Sequence, residues 1–352
     1  MIPQEERPYV LGMIGGVILS TLLLYLIIGT FYYVNMPLGK KNLSVLVVLE
    51  KGEPVNTFLR KLNEKGIKVN PLAFRLYLKL TGHSRDLKAG EYLVSTGHSI
   101  KTLAETLVKG KIYLRKVIVW EGLDMFDIAR LMVQAGILSR KEDFLDAATN
   151  PFLLKKLKVP GETAEGFLFP ETYRFPRNSP PQRVVKKMVY TFWGKITPDI
   201  LEKCREMGFT LYQAVTLASI IQKETFDKRE MPLISAVYHN RLKRGMRLQA
   251  DPTVIYAIKL KYGKEKLRLT RKDLTIDSPY NTYRYKGLPP GPICNPGLDA
   301  IEAAVNPAPV DYLYFVSKGD GTHHFSRTLL EHNKAVWRYI KLPRLEEEKL
   351  IK

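Results

Sequence analysis

The sequence predicts an α+β protein with a single N-terminal transmembrane helix, a small βα module and a mixed α+β domain. Three observations lead to this fold class: an uncharged apolar segment near the N-terminus, a strand–helix pattern that occurs twice, and a second half in which helical segments alternate with loops and one hairpin. We expect a polar tail at residues 1–10, a membrane anchor at 11–36, the βα module at 42–140 and the mixed domain at 141–345.

The apolar segment predicts a helix that crosses a membrane. Residues 11–33 carry no charge, and 23 residues at a rise of ~1.5 Å each are long enough to span the ~30 Å hydrocarbon core. A cleaved signal peptide is less favoured, because the apolar core of such peptides has only ~7–15 residues. Arg7 precedes the segment and Lys40 follows it, so the positive-inside rule leaves its orientation open.

The composition favours a polyanionic neighbour. The chain has 352 residues and a net charge of +20, from 55 Lys and Arg against 35 Asp and Glu. Nucleic acid, anionic lipid and an acidic cell-wall polymer are all compatible with that excess. We expect no nucleic acid partner, because the basic residues are spread along the chain without a zinc-finger, RNP-type or basic-zipper signature. Cys204 and Cys294 allow one disulfide but do not require it.

A strand–helix unit occurs at residues 45–67 and again at 117–137, with glycines and apolar residues at matching positions. Between the copies, residues 88–107 predict a strand and then a helix whose N-cap is Ser99. This stretch resembles the start of a LysM module, a small glycan-binding βα fold, in the spacing of Gly90, Tyr92, Val94, Gly97, Ser99 and Ala104. The alternative is an ordinary βα unit without a binding role.

The strongest helical pattern ends in a glutamate. Over residues 211–224, a projection at ~100° per residue places Glu224 on the apolar face with Leu217 and Ile220, and Gln222 on the opposite side. A carboxyl group on a buried face is desolvated, which raises its pKa and allows it to act as a general acid near neutral pH. The alternative is a carboxylate that is solvated or ion-paired at the helix end.

A series of motifs surrounds this helix. They read Glu165-Gly-Phe-Leu-Phe-Pro-Glu-Thr-Tyr-Arg-Phe, Ala218-Ser-Ile-Ile-Gln-Lys-Glu-Thr, Asn240-Arg-Leu, Met246-Arg-Leu-Gln-Ala-Asp-Pro-Thr-Val, Tyr280-Asn-Thr-Tyr, Gly287-Leu-Pro-Pro-Gly-Pro-Ile and Tyr312-Leu-Tyr-Phe-Val followed by His324-Phe. In type and order they resemble the membrane-anchored endolytic murein transglycosylases, the YceG-like or MltG family.

That resemblance implies an enzyme that cleaves peptidoglycan strands internally, between MurNAc and GlcNAc, and leaves 1,6-anhydro-muramyl ends without a cofactor. It also implies a position on the outer face of the cytoplasmic membrane, where the enzyme would terminate glycan elongation beside the peptidoglycan synthases (penicillin-binding proteins) of the division or elongation machinery. The family's catalytic glutamate lies in an Ala-Ser-Ile-Val-Glu-Lys-Glu-Thr motif. Because Gln222 replaces the first glutamate here, we expect Glu224 to carry the catalytic proton.

Six polar residues of these motifs are expected to contact the glycan: Gln249, Asp251, Asn281, Thr282, Tyr283 and Glu171. Asp251 could instead cap the following helix, and residues 281–283 could form a structural turn. Glu171 could be a second catalytic carboxylate or a buried partner of a basic side chain. We predict no metal site, because the histidines lack the spacing of paired ligands.

Three other functions stay open from the sequence. A hydrolase (a muramidase) would need a second carboxylate within ~5–10 Å of Glu224, and Glu171 and Asp251 are the candidates. A non-catalytic membrane-anchored scaffold would bind glycan without cleaving it. A nucleic-acid-binding protein would show strongly salt-dependent binding and a cytoplasmic C-terminus.

Overall fold

The computed structural model describes residues 7–40, 42–264, 266 and 268–343, with side chains from residue 13 onward. The chain divides into two compact units, Met1–Arg115 and Lys116–Lys352. This division falls before the second copy of the strand–helix unit, whereas the sequence pattern predicts a boundary at residue 140. Met125 and Ile128 of the second copy explain the difference, because both are buried in the core of the second unit.

Helix α1 (Arg7–Asn35) contains the apolar segment. Its stretch Met13–Asn35 has 23 residues and a mean hydropathy of 2.2, which makes it long and apolar enough to cross a membrane. Most of the expected polar tail lies outside the described residues.

The first unit folds around one antiparallel strand pair. Strand β1 (Ser44–Leu49) pairs with β2 (Gly90–Ser95), with Val45 opposite Val94. Three helices complete the unit: α2 (Val55–Glu64), α3 (Pro71–Leu80) and α4 (Ile100–Lys109). Ser99 caps α4 as predicted, because its hydroxyl accepts from the Thr102 amide in a capping box.

The second unit is mostly helical with two short strand pairs. Strand β3 (Arg115–Ile118) pairs with β4 (Thr172–Phe175), and the C-terminal hairpin pairs β5 (Tyr314–Ser317) with β6 (His323–Ser326). The remaining elements of this unit are α5 (Met125–Gln134), α6 (Lys141–Ala148), α7 (Pro151–Lys156), α8 (Pro181–Lys195), α9 (Pro198–Glu206), α10 (Leu211–Glu224), α11 (Met231–Lys243), α12 (Asp251–Tyr262), a 3₁₀ turn (Asp273–Thr275), α13 (Leu298–Val305), α14 (Leu329–Val336) and a π-helical turn (Trp337–Lys341). The predicted mixed α+β class is confirmed.

Helix α10 is the central helix of the second unit. It begins at a capping box between Thr210 and Gln213, and it packs against α9, α11, α12 and α13. Every residue from Ala214 to Gln222 is buried. The helix has the predicted bounds, but it is enclosed on all sides rather than amphipathic, so a projection with one apolar face does not describe it.

Candidate functional site

Glu224 is the last residue of α10, where the helix meets a surface cavity. The chain leaves the helix at Thr225, whose backbone is extended (φ −150°, ψ 149°). Tyr238 of α11 donates a hydrogen bond of 2.7 Å to Glu224 Oε1. The Tyr238 ring is itself buried and packs edge-on against Phe315 of β5. Two core helices and the hairpin therefore fix the position of the Glu224 carboxyl.

The surroundings of Glu224 favour its protonated form near neutral pH. Burial is the main cause that raises the pKa of Glu224 to about 7; the negative charge of Asp251 contributes to this rise, and the Tyr238 hydrogen bond and the Arg241 cation oppose it. The side chain keeps some exposure to the cavity. A carboxyl group that is surrounded by protein but open to a ligand can donate a proton at neutral pH and take it back.

Arg241 supplies a fixed positive charge beside this carboxyl. It lies one helical turn after Tyr238, and its guanidinium donates to the backbone oxygens of Leu313 (2.7 Å) and Leu248 (2.6 Å). The same group lies 5.2 Å from the centre of the Tyr314 ring, in a cation–π contact. The buried cation is therefore held by backbone dipoles and an aromatic face, without a carboxylate of its own at contact distance among the described residues.

Asp251 is the second carboxylate of the site. It is the first residue of α12, and Tyr283 donates a hydrogen bond of 2.5 Å to its Oδ1. The preceding turn is held by Thr282, whose carbonyl accepts from the Gln249 amide and whose hydroxyl accepts from the Ala250 amide. Gln249 adopts a positive φ of 51°, so the chain reverses sharply before the helix starts.

These groups surround one cavity of about 320 Å³. It is lined by Glu224, Tyr238, Arg241, Leu248, Gln249, Asp251, Tyr283, Tyr314, Phe315, Leu329 and His332. Carboxyl, phenol, guanidinium and aromatic surfaces converge here, which is the chemistry expected for a sugar-binding site. Among the described residues, no group of three or more His, Cys, Asp or Glu side chains is arranged to hold a metal ion.

A sequence model of the YceG-like family matches residues 47–338. The chain belongs to the YceG-like family. It is 34% identical over 331 residues to the endolytic murein transglycosylase of Bacillus subtilis strain 168, covering 87% of this chain and 84% of that protein. It is 29% identical over 323 residues to the endolytic murein transglycosylase of Streptococcus pneumoniae serotype 2, strain D39, covering 84% of this chain and 58% of the relative.

The fold agrees with a solved structure. The crystal structure of a yceG-like protein from Listeria monocytogenes superposes with a TM-score of 0.58 at 31% sequence identity. The match covers 84% of this chain and the whole of that one. The YceG-like assignment therefore rests on sequence and on structure.

The structure brings four of the predicted site residues of this YceG-like chain together. Glu224, Gln249, Asp251 and Tyr283 all line the cavity. Asp251 does not cap α12, because the N-cap position is Ala250 and no side chain caps the helix there. Its carboxylate lies at the cavity instead, where Tyr283 binds it.

Three predicted glycan contacts lie elsewhere. Asn281 is buried, and its amide donates to the carbonyls of Leu274 and Ile276, so it holds a turn together. Thr282 is buried under the turn before α12. Asn281 and Thr282 therefore fit the alternative of a structural turn rather than contacts with glycan.

Glu171 is also away from the cavity. It lies just before β4, with 47% of its side chain exposed, and its carboxylate is 3.8 Å from Lys195 Nζ. It is neither a second carboxylate beside Glu224 nor a buried partner of a base.

Gln222 is buried rather than turned to solvent. Its Oε1 accepts from the Gly297 amide at 2.9 Å, which ties the loop before α13 to α10. Gln222 and Glu224 are two residues apart in a regular helix and so point to different sides, as projected, but neighbouring helices enclose the side of Gln222 as well. Glu224 lines the cavity and Gln222 is not among its lining residues, so the expectation that Glu224 carries the proton does not depend on a single apolar face.

Sequence reasoning missed the four other polar residues of the cavity: Tyr238, Arg241, Tyr314 and His332. Arg241 is the arginine of the Asn240-Arg-Leu motif, and Tyr238 lies one helical turn before it on α11, so the motif was an available signal. His332 stacks on Tyr314 with ring centres 5.2 Å apart, and its Nδ1 has no hydrogen-bond partner among the described residues. Burial lowers the pKa of His332, so a neutral imidazole faces the site.

A second buried carboxyl lies outside the cavity. Burial, together with the charge of Asp124, raises the pKa of Glu165 to about 8. Its oxygens accept from the Met125 amide, Asn295 Nδ2 (2.7 Å) and the Tyr256 hydroxyl (3.1 Å). Because each of these donors comes from a different segment, Glu165 serves as a structural junction.

Proposed function

We propose that this protein is an endolytic murein transglycosylase in which Glu224 is both the general acid and the general base. The observation that carries the proposal is the Glu224 carboxyl, which lies at an open cavity with a pKa raised to about 7. The B. subtilis and S. pneumoniae relatives bear this name. The substrate would be the MurNAc–GlcNAc β-1,4 bond of peptidoglycan strands.

The first step breaks the glycosidic bond. Protonated Glu224 transfers its proton to the glycosidic oxygen, the bond between that oxygen and MurNAc C1 breaks, and the GlcNAc hydroxyl leaves. Positive charge then develops at C1 and at the ring oxygen. The Asp251 carboxylate, in the same cavity, would stabilise this charge electrostatically.

The second step closes the anhydro ring. The C6 hydroxyl of the same MurNAc attacks C1, and ionised Glu224 accepts the hydroxyl proton. The acid is thus regenerated, and no water is consumed. One residue whose pKa lies near the working pH can serve both steps.

Tyr238 and Arg241 are positioning residues for Glu224. The Tyr238 hydroxyl binds Oε1, which leaves Oε2 free for the substrate, since Oε2 makes no hydrogen bond within the described part of the chain. Both residues favour the ionised carboxylate and so limit the rise in pKa that burial causes. Without them the acid would hold its proton too strongly to donate it readily.

The hydrolase alternative is favoured by one observation, the presence of Asp251 in the cavity. In that mechanism Asp251 would activate a water molecule or attack C1, and the products would carry reducing ends. Since Tyr283 already donates to Oδ1, Asp251 is less available as a base than a free carboxylate. The scaffold alternative predicts glycan binding with no cleavage.

The location and partners are part of the same proposal. Helix α1 would hold the second unit at the outer face of the cytoplasmic membrane, where nascent strands emerge, and the first unit, with its LysM-like βα stretch, would bind glycan. The net charge of +20 suits both anionic lipid and anionic wall polymers. The synthases of the division or elongation machinery would supply the strands. A reporter fused after Lys352 tests the side, and cytoplasmic signal would contradict it.

Cleavage and binding can be separated with one pair of proteins. Wild-type protein and Glu224→Gln are incubated with labelled, uncrosslinked glycan strands, and both strand length and bound label are measured. We expect the wild type to shorten the strands and the variant to bind them without shortening. Binding by both proteins with no shortening by either would support the scaffold alternative.

A further inference from the structure

Helix α3 of the first unit has two apolar faces. Phe74 and Leu78 point into the core and are 0% and 3% exposed. Leu72, Leu76 and Leu80 are 68%, 51% and 73% exposed. Residues four apart lie on the same side of a helix, so these three leucines form one apolar stripe, which we call the leucine face. A short helix with apolar residues on both sides is unusual on a surface that meets only water.

The leucine face adjoins α1 across an apolar groove of about 740 Å³. One wall of the groove comes from α1, between Tyr25 and Val34, and the other from α3, between Ala73 and Thr81. Leu76 and Leu80 belong to both the groove and the leucine face. The apolar surface therefore runs from α3 onto the helix proposed to cross the membrane.

The position of α3 along α1 is fixed by the chain between them. Val34 and Leu38 pack against the core of the first unit. The Leu38 amide donates to the His98 carbonyl (2.8 Å), and the Gly39 amide donates to the Thr96 carbonyl (3.1 Å). Helix α1 therefore continues into a segment hydrogen-bonded to the unit.

We propose that the leucine face of α3 lies at the boundary between headgroups and acyl chains of the bilayer, in the leaflet around the C-terminal end of α1, and that acyl chains fill the groove. This inference rests on the proposed membrane insertion of α1. The eleven residues from Tyr25 to Asn35 cover ~15 Å of helix, which is half of the ~30 Å hydrocarbon core. Since the groove reaches Tyr25, inserting α1 brings the facing part of α3 into the leaflet.

The charges on α3 fit this position. Arg75 and Lys79 are exposed and immediately precede Leu76 and Leu80. Long basic side chains at a membrane surface can bury their methylenes and extend their charge to anionic phosphates. α3 contains no acidic residue that would repel an anionic headgroup.

Fluorophore depth measurements test the proposal on the full-length protein. Three variants, Leu76→Cys, Leu19→Cys and Lys51→Cys, are labelled with an environment-sensitive dye and inserted into vesicles of phosphatidylethanolamine and phosphatidylglycerol that carry nitroxide lipids. Leu19 reports the insertion of α1. The segment after α1 is hydrogen-bonded beside Ser95, at the start of β1, because the Gly39 amide donates to the Thr96 carbonyl. Lys51 follows the other end of β1, so a dye at position 51 should remain in water. Unsubstituted protein gives the background of Cys204 and Cys294, which are buried.

We expect the dye at positions 19 and 76 to show a blue-shifted emission and strong nitroxide quenching, and the dye at 51 to show neither. Quenching at 19 with a water-like signal at 76 would overturn the inference and leave the anchor in place. A water-like signal at both 19 and 76 would overturn the anchor and the inference together. Glycan cleavage is measured in a separate assay. If cleavage is absent while the quenching pattern is as expected, only the proposed activity is contradicted.

Discussion

The Tyr238 hydroxyl lies 2.7 Å from Glu224 Oε1 and donates a hydrogen bond to it. This hydrogen bond joins the end of α10 to the middle of α11. It lowers the pKa of Glu224 and so opposes the rise that burial causes. Burial alone would keep the proton on Glu224 well above neutral pH, whereas the phenol favours the ionised form. The proposed role of Glu224 therefore depends on this pair, and each contribution to the pKa of Glu224 can be changed separately.

Glu224→Gln should abolish cleavage and leave the fold intact. The amide cannot transfer a proton, and general acid–base catalysis contributes ~10²–10⁴-fold, so we expect at least that loss of turnover. Thermal unfolding at pH 8 should be unchanged or should occur at a higher temperature, because at that pH the wild-type carboxylate is charged although burial penalises its charge, and the variant removes that charge. Wild-type turnover in the variant would exclude Glu224 as the acid.

Tyr238→Phe should raise the pKa of Glu224 further. The alkaline limb of the kcat/KM profile against pH should move to higher pH, since the hydrogen bond that favours the carboxylate is gone. We expect turnover to fall about 10- to 100-fold, which matches the ~1.5–3 kcal/mol of a hydrogen bond to a charged group.

The matched control for Tyr238→Phe is Tyr314→Phe. Tyr314 also lines the cavity, and its ring makes the cation–π contact with Arg241. Phenylalanine keeps the aromatic ring and therefore this contact. The control should keep the wild-type pH profile. Identical profiles for Tyr238→Phe and wild type would show that the hydrogen bond has no part in setting the pKa of Glu224.

Asp251→Asn should lower the pKa of Glu224, because the nearby negative charge helps to raise it. Less of the acid form is then present at neutral pH, so the alkaline limb should move to lower pH while the fragments keep anhydro ends. Asp277→Asn is the control, since the Asp277 carboxylate accepts from the Tyr285 hydroxyl (2.8 Å) in a similar pair away from the cavity. Complete loss of activity in Asp251→Asn alone would favour the hydrolase mechanism.

Glu165→Gln should reduce the dependence of stability on pH. The pKa of Glu165 is about 8 in the folded chain against a reference of 4.5, so the folded state binds the proton more tightly. The stability that this gives is fully present below pH ~4.5 and is lost as pH rises through ~8, with a size of a few kcal/mol. Urea unfolding at pH 5 and pH 8 should show a smaller difference in the variant.

Exposed Glu162→Gln, three residues away, serves as the control for Glu165→Gln and should behave as wild type. If Glu165→Gln lost as much stability as wild type between pH 5 and pH 8, the proton on Glu165 would have no part in this dependence.

Local features of this YceG-like chain could be predicted from its sequence. Helix α10 has the expected bounds, and Ser99 caps α4, because hydrophobic spacing and capping depend on residues close in the chain. The role proposed for Glu224 follows from its motif, and the structure adds its hydrogen-bond partner Tyr238. The mixed α+β class followed from the order of these local signals.

Long-range contacts could not be predicted in the same way. The burial of Gln222 was not predicted, because nothing near it in sequence shows that the loop before α13 would cover its side of the helix. Asn281 has side-chain chemistry suited to sugars, yet its amide bonds to carbonyls five and seven residues earlier. Arg241 gains its role from backbone oxygens of Leu313 and Leu248, and the first of these is 72 residues away.

The ends of the cleavage products test the central claim most directly. Full-length protein is incubated with uncrosslinked glycan strands, and the fragments are weighed by mass spectrometry before and after reduction with borohydride. We expect internal fragments that are lighter by one water than hydrolysis products and that borohydride does not change, and this result would contradict hydrolysis. Fragments with reducing ends, which gain two hydrogens on reduction, would contradict the proposed transglycosylase mechanism.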